Sequence, residues 1–235
     1  GVVVGCGVIQ MRRFDAAGSC LGNYRYVNGI PGTIRLNDVN GDGVDEIIVG
    51  GEVMSNCCHC RVVDASGQQL QEVEVEGWTS RMTALAVTEG KSTYLAFGAT
   101  RGRNLYFLKT DPGNAAPLQV QWMQRMPGAV TAVHIDPSGK RVVVGNSLGL
   151  IVAFDFAGEA LGRLALPAEV QSIHGVADGY LVGLEDGVGH MLQLDTETGL
   201  RHVARWDVAA RWDRVAVTID GLLVPTPTEL LHLPS

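Results

Sequence analysis

Short apolar runs that end in glycine recur along this chain at nearly constant spacing. They are Val3-Val4-Gly5, Ile48-Val49-Gly50, Ala96-Phe97-Gly98, Val143-Val144-Gly145 and Leu181-Val182-Gly183, with a degenerate sixth at Leu223-Val224-Pro225. Successive runs start 45, 48, 47, 38 and 42 residues apart. A period of this length is one small sheet, which cannot bury its own faces and must stack against copies of itself. The likeness extends beyond the run: VVGCGVIQMRRFDAAG (3–18) aligns without a gap on VVGNSLGLIVAFDFAG (143–158). CRVVDASG (60–67) and HMLQLDTETG (190–199) are further copies of a strand that ends in Asp and a glycine turn. An alternating strand precedes each glycine run, as in Thr33–Leu36, Met82–Val87, Val130–Ile135, Val170–Ile173 and Val215–Ile219. The pattern predicts an all-β chain, a β-propeller of about six four-stranded blades. A two-sheet sandwich also alternates strands and turns, but it does not require the same unit five or six times.

The blades fall at about 1–28, 29–77, 78–126, 127–166, 167–208 and 209–235, in a single domain over 1–235. Both terminal blades are incomplete: the first begins at its second strand and the last stops near its third, around Leu230–Leu233. An open strand edge invites aggregation. Either a second chain or flanking sequence of a longer parent completes the ring, or a terminal blade tolerates fewer strands. The beginning, Gly-Val-Val-Val-Gly, reads as the inside of a strand and suits a processed product or a piece of something longer. No apolar run is long enough to span a bilayer. A net charge of -7 argues against a nucleic-acid backbone as the main partner, and the basic residues Arg12-Arg13 and Arg101-Gly-Arg103 are not interleaved with aromatics.

Residues 38–50 read DVNGDGVDEIIVG. Oxygen donors fall at alternate positions: Asp38, Asn40, Asp42, the carbonyl of Val44, and Glu46. Ca²⁺ takes six to eight such oxygens, and this spacing curls a short loop around one ion. An EF-hand is rejected, because its twelfth loop position here is Val49 and a β-rich run follows in place of a helix. The segment resembles the FG-GAP (VCBS-type) repeat of integrin α-subunit propellers, whose loop reads Asp-x-Asn/Asp-x-Asp-Gly-x-x-Asp and runs into a strand. That resemblance implies side-chain ligation by Asp38, Asn40, Asp42 and Glu46, with Glu in place of the last Asp, and a structural ion. The expected address is extracellular or periplasmic, with an intracellular assembly as the alternative. The equivalent turns Thr88–Lys91 and Asp136–Lys140 lack the ligands, and those blades look more like WD-repeat or quinoprotein-like ones. The other reading of the loop is an acidic turn without metal.

The five cysteines, Cys6, Cys20, Cys57, Cys58 and Cys60, lie in the first quarter of the chain. Strand alternation puts Cys57 and His59 on one face and Cys58 and Cys60 on the other, which splits any common zinc site. Disulfides between Cys6 and Cys57 or Cys58, free thiols, and a metal site all stay open. The six histidines are scattered, and no nucleophile elbow, phosphate loop or zinc-protease motif appears. The carboxylate pairs Asp45-Glu46 and Glu185-Asp186 sit in turns. Trp78, Trp122, Trp206 and Trp212 fall near connections between units, where they either cap cores or stack on a ligand. The loop 110–117 is the largest insertion and a candidate binding element. These observations predict a non-catalytic scaffold for a protein or glycan partner, with calcium stiffening one blade. The alternatives are a polysaccharide lyase-like enzyme and a subunit of an intracellular BBSome-like assembly.

Overall fold

The computed structural model describes residues 2–5, 10–25, 29–53, 58–75, 82–89, 92–99, 103–110, 118–195, 198–207, 210, 212, 215–218, 221–227 and 229–234. Two compact units divide the chain between Arg125 and Met126. The first unit holds three antiparallel sheets. These are β1 (Val2–Gly5), β2 (Gln10–Phe14) and β3 (Cys20–Arg25); then β4 (Gly29–Asn37), β5 (Glu46–Val53), β6 (Cys58–Val63) and β7 (Gln69–Val75); then β8 (Met82–Glu89), β9 (Ser92–Ala99), β10 (Asn104–Thr110) and β11 (Leu118–Arg125). The second unit holds β12 (Val130–Asp136), β13 (Arg141–Asn146), β14 (Leu150–Asp155) and β15 (Ala160–Ala165); β16 (Val170–Val176), β17 (Gly179–Leu184), β18 (Val188–Asp195) and β19 (Gly199–Asp207); and β20 (Ala216–Thr218), β21 (Gly221–Pro225) and β22 (Leu230–Pro234). Every sheet is a meander in which each strand pairs with the next. The first sheet begins on a glycine-run strand and the last ends on its third strand.

The repeated Asp and glycine build one hairpin three times. Asp15 Oδ1 accepts from the amides of Ala17 and Ser19, Asp64 Oδ1 from Ser66 and Gln68, and Asp155 Oδ1 from Ala157 and Glu159. Each turn closes on a left-handed glycine, Gly18, Gly67 or Gly158, with φ of 84°, 93° and 89°. Each also shifts the ladder by one residue, between Arg13 and Phe14, Val62 and Val63, and Ala153 and Phe154.

The glycine that ends two of the runs has a packing reason. A Cβ on Gly145 would stand 2.3 Å from Val170 Cγ1, and one on Gly183 would stand 1.9 Å from Trp212 Cβ. Both partners belong to the next sheet or lead into it, so the missing side chain is what lets consecutive sheets close. Residues 142–146 of β13, 151–154 of β14 and 180–184 of β17 are buried throughout, while β15 alternates exposed and half-buried positions. Burial on both faces explains the continuous apolar runs. The clusters between sheets include Val143, Ile151, Val170, Ile173, Val182 and Leu192 in the second unit. In the first they include Ile48, Cys60, Val62, Leu95, Phe97 and Leu108.

The tryptophans refine the sequence reading. Trp122 and Trp206 lie within the outer strands β11 and β19 and not in connections. Trp212 lies in a connection and caps a core: it is fully buried beside Leu181, Ala210 and Val224, and its Nε1 donates to Gly187 O at 2.8 Å. Trp78 lies outside the described residues.

Candidate metal site and its neighbours

The loop 38–45 is the turn between β4 and β5, and Glu46 opens β5. Gly41 and Gly43 take the left-handed φ of 80° and 85° that the tight curl requires. Asp38 turns both carboxylate oxygens inward onto the backbone. Its Oδ1 accepts from Gly41 N at 2.7 Å and Asp42 N at 3.2 Å, and its Oδ2 from Gly43 N at 2.9 Å. Asp42 Oδ1 accepts from Val44 N, and Asn40 Oδ1 from Asp42 N. Glu46 is only 1% exposed, and its Oε2 accepts from the amides of Val39 and Asn40 at 2.9 and 3.3 Å.

Asn40, Asp42 and Glu46 come together. The Asn40 Nδ2 donates to Asp42 Oδ2 at 3.0 Å and to Glu46 Oε1 at 3.1 Å, so a positively polarised group stands between two carboxylates. Asp38 meets backbone amides instead. Val44 exposes its side chain on the outside of the turn. Among the described residues, no three His, Cys, Asp or Glu side chains close into a preformed metal cluster. Burial, the first cause, raises the Glu46 pKa above its ordinary value, and the charges of Asp42 and Asp38 add to it against the two amide bonds. The donor set suits a hard cation in kind, with three carboxylates, one amide and one carbonyl within nine residues; a bidentate carboxylate or water would have to supply the rest of the six to eight oxygens. Asp38 Oδ2, both Asp42 oxygens and Glu46 Oε1 each accept one hydrogen bond and retain a second lone pair, whereas Asp38 Oδ1 and Glu46 Oε2 each accept two.

The loop is keyed into the adjacent sheet by two residues that are not ligands of the motif, Thr93 outside it and Val39 at one of its variable positions. Thr93 on β9, 1% exposed, donates its one hydroxyl proton from Oγ1 to the Asp38 carbonyl at 2.9 Å, and the Asn37 side-chain amide lies 3.1 Å from the same oxygen. Val39, also 1% exposed, joins the cluster of Ile48, Cys60, Leu95 and Phe97. The apolar residue between two polar ones was a legible signal for Val39. Nothing near Thr93 in the sequence points to the loop.

Cys20 and Cys60 are free thiols, which excludes a disulfide through either. Cys60 is buried, and its thiol is pushed up to about 12 by desolvation, leaving it inert. Cys58 lies in β6, while Cys6 and Cys57 lie outside the described residues, as do Arg101 and residues 111–117. Arg103 is exposed with a left-handed φ of 59°.

Of the turn carboxylates, Asp186 accepts from Val188 N, a structural role. Glu169 has its pKa raised by burial and then by the charge of Glu185. In the second unit a cleft of about 420 Å³ is lined by Lys140, Arg141, Asp155, Phe156, Leu161 and Asp195. It carries both signs of charge and an aromatic ring.

No known protein family matches the sequence, and no curated protein does. Solved structures do. The chain is similar to the Dos1 propeller, with a TM-score of 0.72 and 14% identity over 94% of this chain and 62% of that one. It is similar to a chain of the mitotic checkpoint complex at TM-score 0.72 and 16% identity, covering 98% and 69%. It is also similar to BBS1N in complex with ARL6DN at TM-score 0.66 and 15% identity, covering 98% and 73%. The chain thus spans about three-fifths of the length of the Dos1 propeller chain. At these identities the likeness is one of fold, and with the stacked four-stranded meanders it establishes the β-propeller class.

Proposed function

We propose that this chain is a non-catalytic propeller scaffold for a protein or glycan partner, and that its 38–46 loop is an FG-GAP-type site for structural Ca²⁺. Asp38, Asn40, Asp42, the Val44 carbonyl and Glu46 would hold the ion, which supplies positive charge and no chemistry of its own. The observation that carries this reading is Glu46, a carboxylate buried at the root of a loop with two further carboxylates and, among the described residues, no cationic side chain hydrogen-bonded to it. A buried carboxylate against like charges is costly until a counter-charge arrives. Thr93 and Val39 carry the order of the loop into β8–β11.

The scaffold half is supported by the neighbours, two of which are described as complexes. The likeness to BBS1N in complex with ARL6DN is consistent with the alternative reading, a propeller subunit of a BBSome-like assembly. The test is native mass spectrometry of the chain purified gently from its source, before and after chelation, with calorimetric Ca²⁺ titration of wild type and Glu46→Gln. One Ca²⁺ per chain, abolished by chelator and weakened at least about tenfold in Glu46→Gln, is the expected result. A co-purifying protein or oligosaccharide is expected with it. Absence of a calcium adduct refutes the metal assignment, and turnover of a polysaccharide by the purified chain refutes the non-catalytic one.

A further inference from the structure

In the second unit, β18 and β19 run antiparallel with His190 opposite Arg205 and Leu192 opposite His202. The register shift between Met191 and Leu192 drops Val203 from the ladder. Residues paired across a ladder point to the same side, and so do residues two apart on one strand. His190, Leu192, His202 and Arg205 therefore share a face. The imidazoles of His190 and His202 stand 5.0 Å apart between ring centres, inclined at 65°.

His190 is an anomaly where it stands. It is 4% exposed, and among the described residues neither ring nitrogen has a hydrogen-bond partner. A buried imidazole N–H without an acceptor is costly, and its lone pair is equally unused. His202 is exposed, so one side of the pair is open to solvent. Burial, then the charges of His202 and Arg205, lowers the His190 pKa, and the carboxylates of Asp186 and Asp207 oppose the shift. Arg205 donates from Nε and Nη2 to Asp207 Oδ1, which locally offsets its positive charge.

We propose that His190 and His202 form a cross-strand, two-imidazole site for a divalent transition-metal ion of the Zn²⁺, Ni²⁺ or Cu²⁺ class. The spacing fits. A metal lies about 2.0–2.1 Å from each imidazole nitrogen and each ring centre about 1 Å beyond, so two ligands near the tetrahedral angle set their ring centres roughly 5 Å apart. Imidazole selects these ions over Ca²⁺ or Mg²⁺, which separates the site from the all-oxygen loop at 38–46. Among the described residues no third His, Cys, Asp or Glu closes the set, so the protein supplies two ligands.

The test titrates Ni²⁺ and Zn²⁺ calorimetrically into the full chain, with Ca²⁺ in excess, at about pH 7.5 and about pH 5.5, where imidazole protonation competes. The expected result is one ion per chain at the higher pH, weaker uptake at the lower, and at least about tenfold loss of affinity in both His190→Gln and His202→Gln. With Cu²⁺, electron paramagnetic resonance is expected to show coupling to two nitrogens in wild type and one in His202→Gln. His202 is exposed, so this variant keeps the test decisive even where His190→Gln misfolds. No uptake by wild type, affinity unchanged in His202→Gln, or a Cu²⁺ spectrum without nitrogen coupling overturns the proposal.

Discussion

Replacing His134 with phenylalanine is predicted to remove a large part of this protein's acid sensitivity. His134 lies on β12 with its ring against the backbone of Gly175, where a Cβ would stand 2.5 Å from Nε2, and edge-on to Tyr180 at 5.8 Å between ring centres. Burial is the main reason its pKa falls from 6.5 to about 4, with Asp136 opposing and His174 adding to the shift. The unfolded chain binds this proton at the ordinary pKa and the folded chain does so reluctantly, so protonation favours unfolding. The contribution of His134 is therefore fully present above about pH 6.5 and is lost as pH falls toward about 4. A difference of about 2.5 units at 1.36 kcal/mol per unit gives a loss of about 3 kcal/mol across that window. Phenylalanine keeps a ring against Gly175 and Tyr180 but takes up no proton. Urea unfolding of wild type and His134→Phe at several pH values from about 7.5 to about 4 measures the difference. Wild type should lose about 3 kcal/mol more than the variant between those limits. The variant will not be flat, because burial also lowers the pKa of His174 and His190. Asp136, whose pKa is lowered, titrates below the window. Equal losses in the two proteins would refute the reasoning.

Three further outcomes follow from single contacts. Trp212→Phe leaves the Gly187 carbonyl without its indole donor and should cost about 1–3 kcal/mol in denaturant unfolding; Trp212→Ala, which opens a cavity, should cost about 3–5 kcal/mol. Thr93→Val removes the hydroxyl that ties the Asp38 carbonyl to β9 and should cost about 1–2 kcal/mol, with faster amide exchange at residues 38–46. A thiol reagent should label exposed Cys20 in the native protein and spare Cys60, whose 1% exposure and raised pKa deny it both access and thiolate until the chain unfolds.

The sequence by itself determined the repeat and therefore the class. The glycine runs, the Asp-and-glycine hairpins and the alternating first strands are local features, because turn chemistry and side-chain period are properties of a few consecutive residues. Asp15, Asp64 and Asp155 make the same hairpin in three sheets for that reason. The candidate loop was legible in the same way, since its donors are spaced along one turn. What the tertiary structure decided is what lies across the interfaces between sheets. Gly145 and Gly183 are invisible as contacts until Val170 and Trp212 arrive from elsewhere in the chain. Thr93 reaches Asp38 across 55 positions, and Val39 joins residues from two sheets. The register shift that sets His202 beside His190 depends on how β18 and β19 pair. Such contacts join residues that share no local pattern, and only the stacking of one sheet on the next selects them.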